Sequence, residues 1–411
     1  MRRFPYYVGL DIGTYKVRCV VGMLETTSTG SRVMNVIGAG NCLNLGMRKG
    51  NVVHFEDVAR AIEEAVLETE RMAGIKINAA TINVNGAHIE CQPSRGIVAI
   101  SSQNHQISEE DRVRVEEAAN LINLPANREI IQVYAKNYLI DGQGNIKDPI
   151  GMRGMRLEVD TLVVTASLPL LKSLDLALER ANIMPRYHTV SGLAAAEAVL
   201  DRKQKESGAA VIDIGAGTTN LVIIEEGEVV YVAVIPIGSQ NLTNDLAIGL
   251  KTDLDVADKV KITHTTLNFE KPPAESVSVE YQGKRYYFSE KMVRLVVEAR
   301  MEELFEQIDR ELKKVNKSRK LPGGVVLVGA TADMPGIADF AREKLQLSAK
   351  KGKITDLGGL TENVNNSEYA TVVGLMIMDM LLDGNQVAIK PYRESAGIVS
   401  GLFTKIKNFT K

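Results

Sequence analysis

Two stretches of the chain set an acidic side chain, glycines and threonine at the junction of two apolar runs. In Val211-Ile212-Asp213-Ile214-Gly215-Ala216-Gly217-Thr218-Thr219-Asn220, continuing into Leu221-Val222-Ile223-Ile224, a β-branched run leads to Asp, then alternating glycines and two threonines, then a second apolar run. The pattern predicts a strand, a tight turn and a second strand. Without Cβ atoms such a turn lets backbone N–H groups approach phosphate oxygens. An Asp closing the first strand is placed to hold a hydrated Mg²⁺ over those phosphates. An ordinary hairpin meets the same pattern, so this segment alone does not decide. Far upstream the order repeats in Val8-Gly9-Leu10-Asp11-Ile12-Gly13-Thr14-Tyr15-Lys16-Val17-Arg18-Cys19-Val20-Val21. Two copies suggest two homologous halves, each offering a phosphate-binding hairpin to one nucleotide between them.

A third candidate is Val326-Leu327-Val328-Gly329-Ala330-Thr331-Ala332-Asp333-Met334-Pro335-Gly336, a strand ending in a turn that could pack against adenine. By itself it is only a strand–turn–helix junction. Its weight comes from order, because ligands of α/β sheets sit at the C-terminal ends of strands. Ser191-Gly192-Leu193-Ala194-Ala195-Ala196 precedes the second hairpin, and Tyr369-Ala370-Thr371-Val372-Val373-Gly374-Leu375 follows the glycine turn.

The chain that must position these motifs has 411 residues and is 45% hydrophobic, enough for two or more domains. Its net charge of −2 argues against a general nucleic-acid binder. Cys19, Cys42 and Cys91 show no CxxC spacing and read as buried small hydrophobes, and the five His lack metal-ligand spacing. Met1 to Pro5 is charged with no apolar region after it, and the longest apolar run, 372–382, is too short to span a bilayer, so a cytoplasmic protein is expected. Helical spacing predicts helices over 56–72, 170–182, 193–201, 238–249, 253–261, 289–316 and 369–382. Another is expected to be opened by Ser108 and stopped by Pro125. Strands are expected at 31–40, 80–84, 96–100, 130–139, 229–237 and 323–329, with a hairpin over 277–288. The texture of 85–164 suggests a small inserted α+β domain.

The last residues form a separate element. In 397–411 the apolar Ile398, Val399, Leu402, Phe403, Ile406 and Phe409 share one arc of roughly 140° on a helix. Lys407 and Lys411 lie opposite, and Lys405 sits at the edge, where its ammonium can reach lipid headgroups. Burying these six side chains contributes on the order of 10 kcal/mol before ordering costs, so one copy should bind a membrane reversibly and an array of copies firmly. The alternative is a terminal helix packed on the body.

The order of hairpin, hairpin and glycine turn resembles the actin, sugar-kinase and heat-shock ATPase superfamily. Within it the chain is similar to the FtsA family of bacterial division proteins. That likeness rests on Val84-Asn85-Gly86-Ala87-His88-Ile89, Ser94 to Ile100, Asp141-Gly142-Gln143 through Asp148-Pro149-Ile150-Gly151-Met152, Val234 to Gly238 and Thr243 to Leu250, and it covers nearly the whole chain. It implies an actin-like α/β fold of two duplicated ATPase halves around a nucleotide cleft, with a family-specific insert and a C-terminal amphipathic helix. The implied division is 1–84 and 165–192 for the first core subdomain, 85–164 for the insert, 193–228 and 304–382 for the second core subdomain, and 229–303 for its outer subdomain. A linker at 383–396 and the membrane-targeting helix at 397–411 complete it.

By the same resemblance, ATP and Mg²⁺ are the expected cofactors, with Asp11 and Asp213 bracketing the metal. Gly13, Thr14, Lys16, Gly215, Ala216, Gly217, Thr218 and Thr219 would line the phosphates, and Gly329, Ala330, Asp258 and Lys261 the nucleoside. For Asp258 and Lys261 a solvated helix face explains the sequence equally well. The family pattern has a third glycine where this chain has Ala216, Asp where it has Asn220, and a second glycine where it has Ala330. Where the superfamily carries Gln or Glu to orient the attacking water, this chain has Ser191, a poor general base without a partner. ATP binding with at most slow hydrolysis is therefore expected, nucleotide acting as an assembly switch. The implied partners are the FtsZ C-terminal peptide on 229–303, further copies of the chain in a filament, inner-membrane lipids and later division proteins. The implied location is peripheral, on the cytoplasmic side of the membrane at the division site. Lys291, Arg294 and Arg300 are candidates for the peptide, although a solvated charged face accounts for each. Rival readings are an actin-like ATPase of pilus assembly, a phosphotransferase and a chaperone ATPase.

Overall fold

The computed structural model describes residues 6–26, 32–270, 272–355 and 357–383. The predicted linker beyond 383 and the amphipathic helix at 397–411 lie outside them. The first half opens with β1 (Tyr6–Ile12), β2 (Lys16–Thr26) and β3 (Arg32–Leu43), a meander of apolar runs in which Val8, Leu10, Val17 and Val20 are fully buried. A two-residue ladder, β4 (Met47–Arg48) and β5 (Asn51–Val52), leads to α1 (Phe55–Ala73). That helix stops at Gly74, whose φ of 69° suits a left-handed C-cap that a Cβ would disfavour. β6 (Ala79–Val84) then joins β1 in parallel.

The insert follows as β7 (Glu90–Ala99), α2 (Glu109–Asn120), β8 (Arg128–Ile140), β9 (Gln143–Ile146) and β10 (Arg156–Ser167). Its sheet runs β7-β10-β8-β9. Ser108 and Asp111 form the capping box that starts α2. The helix ends at Asn120, short of Pro125, because residues 121–125 leave the helical path before the proline is reached. Although its two ends belong to the first half, the insert also leans on the second. Lys136 Nζ donates to Val230 O at 3.2 Å, and Cys91 Sγ to Val232 O at 3.2 Å.

The chain returns through α3 (Leu168–Arg180), β11 (Met184–Val190), α4 (Ser191–Val199) and α5 (Arg202–Ser207). The second half then repeats the first with β12 (Ala209–Ile214), β13 (Thr219–Glu225) and β14 (Glu228–Ile235). An outer subdomain holds α6 (Ser239–Leu250), α7 (Leu254–His264), β15 (Val277–Tyr281) and β16 (Lys284–Phe288). From it α8 (Glu290–Lys314) leads back, followed by β17 (Gly324–Val328), α9 (Ile337–Leu345), β18 (Ala349–Lys351), β19 (Leu357–Gly359) and α10 (Ala370–Asp383).

The sheets run β11-β6-β1-β2-β3-β19 and β14-β13-β12-β17-β18, so an antiparallel meander flanked by parallel strands occurs twice. Sequence reading assigned 304–382 wholly to the second half. Instead β19 pairs with β3, and α10 lies against β1 and α4. An apolar helix does not declare in its sequence which sheet it covers. The close approach of α10 to α4 depends on Gly374, where a Cβ would sit 1.7 Å from Ala194 O. Asp379 is fully buried and satisfied by Val8 N–H, Thr81 Oγ1 and Arg186 Nη1, which ties α10 to β1, β6 and β11.

Candidate functional site

Both repeated hairpins aim their turns into one cleft of about 860 Å³. The turns close alike: Gly13 N–H donates to Lys16 O at 3.1 Å and Gly215 N–H to Thr218 O at 2.9 Å. They also abut. A Cβ at Gly217 would lie 2.9 Å from the Thr14 side chain and 3.0 Å from Lys49 Cα. Thr14 Oγ1 accepts the Gly50 N–H at 3.0 Å, and Asn85 Nδ2 donates to Thr218 Oγ1 at 3.1 Å, so both threonines are fixed by loops of the first half.

Asp11 and Asp213 end the leading strands and are 8% and 9% exposed. Asn83 Nδ2 donates to Asp11 Oδ1 at 2.7 Å and to Ser191 Oγ at 3.0 Å, while Asn83 Oδ1 accepts the Ile12 N–H. Arg18, opposite Asp11 in the hairpin register, brings Nη1 to 3.9 Å from Asp11 Oδ2. Asp213 Oδ2 accepts from Asn220 Nδ2 and Thr371 Oγ1, each at 3.3 Å. Burial pushes the Asp11 carboxyl up to about 7, with the Arg18 charge opposing and the Asp213 charge adding to the rise. Burial also raises Asp213, opposed by Thr371, Asn220 and Arg18. Two buried carboxylates in one cleft suit a hard dication such as Mg²⁺, which takes one or two carboxylates together with phosphate and water oxygens.

At the other end, Lys261 Nζ donates to Asp258 Oδ1 at 2.5 Å and to Thr243 Oγ1 at 2.7 Å. Leu254, Ile262, Met334 and Pro335 give this end apolar walls for a flat ring. Gly329 sits at φ 84°, where a Cβ would meet Ile214 O at 2.5 Å, and its N–H donates to Ser367 O.

Asp11, Gly13, Thr14, Lys16, Asp213, Gly215, Ala216, Gly217, Thr218, Asp258, Lys261, Gly329 and Ala330 all line the cleft. Thr219 does not. It is fully buried on the far face of β13, and its hydroxyl donates to Ile237 O at 2.8 Å. Strand alternation sends Thr218 and Asn220 one way and Thr219 the other. Ser191 is the first residue of α4, 2% exposed, on the cleft wall.

Sequence reading passed over Asn83, Arg18, Arg48 and Lys49, all near the phosphate hairpins. The available signals were an amide in the apolar run 80–84 and a lone cation in an apolar strand. On α8, Lys291 is exposed, whereas Arg294 pairs with Glu290 at 2.6 Å, and Arg300 pairs with Asp245 at 2.5 Å and Glu303 at 2.6 Å. Ile398, Val399, Leu402, Phe403, Lys405, Ile406, Lys407 and Phe409 lie outside the described residues. Among those described, no helix is long and apolar enough to cross a membrane.

Comparison with known proteins reaches the same architecture. The family model for cell division protein FtsA matches residues 210–374, and that for the SHS2 domain inserted in FtsA matches 86–165. Cell division protein FtsA of Bacillus subtilis (strain 168) is 35% identical over 379 residues, covering 92% of this chain and 84% of that one. The chain belongs to the FtsA family. Another member, FtsA of Escherichia coli (strain K12), is 30% identical over 379 residues, 90% of this chain and 89% of its own. The fold of this FtsA-family chain is actin-like. A PilM–PilN type IV pilus biogenesis complex chain aligns with a TM-score of 0.63 over 91% of this chain and 98% of that one, at 16% identity. MreB5 of Spiroplasma citri bound to ADP aligns at 0.55 over 92% and 98%, at 14% identity. At such identities the likeness concerns fold alone.

Proposed function

We propose that this FtsA-family protein binds ATP with Mg²⁺ in the cleft, assembles into actin-like filaments on the cytoplasmic face of the membrane, and tethers FtsZ there while recruiting later division proteins. The observation that carries the reading is the pair of matching hairpins whose buried Asp11 and Asp213 look into one cleft. The turns would offer phosphates the N–H groups left over once those of Gly13 and Gly215 have closed them, with Thr14 and Thr218 lining the same cleft. Asp11 and Asp213 would hold Mg²⁺, directly or through water. When bound, it would neutralise phosphate charge and fix the phosphate geometry. MreB5 of Spiroplasma citri has been solved bound to ADP and to AMPPNP, and a MamK structure of the same fold is a double helical filament, which supports nucleotide binding and self-assembly here.

Hydrolysis would be slow. Ser191 Oγ accepts the Asn83 amide, and among the described residues no carboxylate hydrogen-bonds it to draw off a proton. Nucleotide then acts through assembly: a filament presents many copies of 397–411 to lipid, so weak single attachments become firm. The FtsZ peptide would dock on 229–303. Of the candidate cations Lys291 is the most accessible, since Arg294 and Arg300 already carry carboxylate partners. Liposome co-sedimentation with ATP, with ADP and without nucleotide, beside a chain truncated before Gly397, tests the reading. Pelleting that needs both ATP and the tail supports it. Equal pelleting of the truncated chain removes the anchor, and indifference to nucleotide removes the switch.

A further inference from the structure

Arg18 is held more firmly than a solvent-facing cation needs to be. Its Nη2 donates to Glu368 Oε2 at 2.5 Å, and its guanidinium carbon lies 5.4 Å from the centre of the Tyr369 ring. The side chain is 12% exposed, and Nε is buried without a hydrogen-bond partner among the described residues. Glu368 and Tyr369 end the short turn whose Ser367 bonds Gly329 and Asp333, so the clamp joins the first phosphate hairpin to the third glycine turn. From this position the guanidinium acts on both cleft carboxylates, 3.9 Å from Asp11 and favouring the ionised form of Asp213 as well. The second hairpin has no counterpart, since Asn220 stands opposite Asp213.

Two buried carboxylates repel an incoming polyphosphate, and the ordinary remedy is a divalent cation between them. A guanidinium cannot lose its proton, and one already clamped gives up little further freedom when an anion arrives. Lys16, Arg48 and Lys49 also line the cleft that holds Asp11, Asp213 and Glu368. We infer that Arg18, clamped by Glu368 and Tyr369, is a built-in counter-ion that takes over part of the metal's electrostatic work. The cleft therefore holds a nucleoside polyphosphate with only a shallow dependence on divalent cation. The inference rests on the nucleotide reading above. It makes Arg18 a positioning and charge-balancing residue rather than a catalytic one.

The test measures dissociation constants of a fluorescent ADP analogue for the full chain, in Mg²⁺ and in EDTA, for the native protein, Arg18→Met and Arg18→Lys. Removal of Mg²⁺ should weaken native binding by about tenfold or less, and that loss should grow by at least about tenfold in Arg18→Met. Arg18→Lys, which keeps the charge but not the planar fork, should restore most of the tolerance. Melting curves without nucleotide show whether each variant is folded. Equal Mg²⁺ dependence in native protein and folded Arg18→Met overturns the inference. So does a native protein whose binding falls about a thousandfold in EDTA, whether or not Arg18→Met folds. A native chain that binds nucleotide in neither condition removes the nucleotide reading itself, and this inference with it.

Discussion

The hairpins β1–β2 and β12–β13 have one backbone plan and two electrostatic characters. Both place Asp at the end of the leading strand and close the turn with a glycine N–H. Opposite Asp11 stands the cation Arg18, whereas opposite Asp213 stands the neutral Asn220. Their first glycines also differ in tolerance. A Cβ at Gly13 would lie 2.7 Å from Lys16 O, while one at Gly215 would lie 3.2 Å from Thr218 O. The two hairpins thus share a backbone geometry and differ in the charge across each strand pair. The first hairpin brings its own counter-charge; the second depends on hydroxyl and amide donors and on whatever enters the cleft.

The sharpest way to break the comparison is to neutralise each Asp in turn. Asp213→Asn should weaken nucleotide binding in Mg²⁺ by up to about tenfold, no more than removal of Mg²⁺ does in the native protein, because the metal loses a carboxylate ligand. Asp11→Asn should cost less, because Arg18 stays clamped by Glu368 and keeps its charge at the cleft. Titration of a fluorescent nucleotide checks both, and an equal loss would show that the hairpins are equivalent. Next in size, Gly217→Ala should destabilise the fold by about 1–3 kcal/mol, because its methyl meets Thr14 and the Lys49 backbone, whereas Gly215→Ala should do much less. Thermal or urea unfolding reads the difference.

Smaller again, Thr219→Val should cost about 1 kcal/mol of stability through the lost bond to Ile237 O and leave nucleotide affinity unchanged. Thr218→Val should weaken nucleotide binding and also cost about 1 kcal/mol of stability through the lost bond from Asn85 Nδ2. The smallest effect concerns His88, where the insert joins the core. Its Nδ1 accepts the Ser167 N–H at 3.1 Å and its Nε2 lies 3.0 Å from Asn85 O, an arrangement that requires the neutral ring. Burial holds its pKa below the usual imidazole value, with Asn85 O opposing and Arg128 assisting. A depressed histidine binds fewer protons folded than unfolded, so its contribution is present above about pH 6.5 and fades as pH falls through the lowered native value. Melting temperature should therefore decline below neutrality in the native protein and less so in His88→Gln.

Strand–turn–strand order, glycine spacing and acidic strand ends were legible because local sequence sets them. Thr219 was misplaced because a pair of adjacent threonines looks alike until strand alternation assigns each a face. Asn83 and Arg18 escaped notice because their roles depend on partners far along the chain: Asn83 serves Asp11 and Ser191, and Arg18 meets Glu368. The return of β19 and α10 to the first half was hidden for the same reason, since Leu357 pairs with Met34 across the sheet edge and nothing near either residue announces it.

The insert is rooted in one half and rests on β14 of the other through Lys136 and Cys91. Mechanically it is a beam with two supports. Were the halves to rotate about the cleft, the beam would have to tilt with β14 or slide along it, because one support would move relative to the other. Any change in the angle between the halves would therefore reach the insert as relative movement of its two supports.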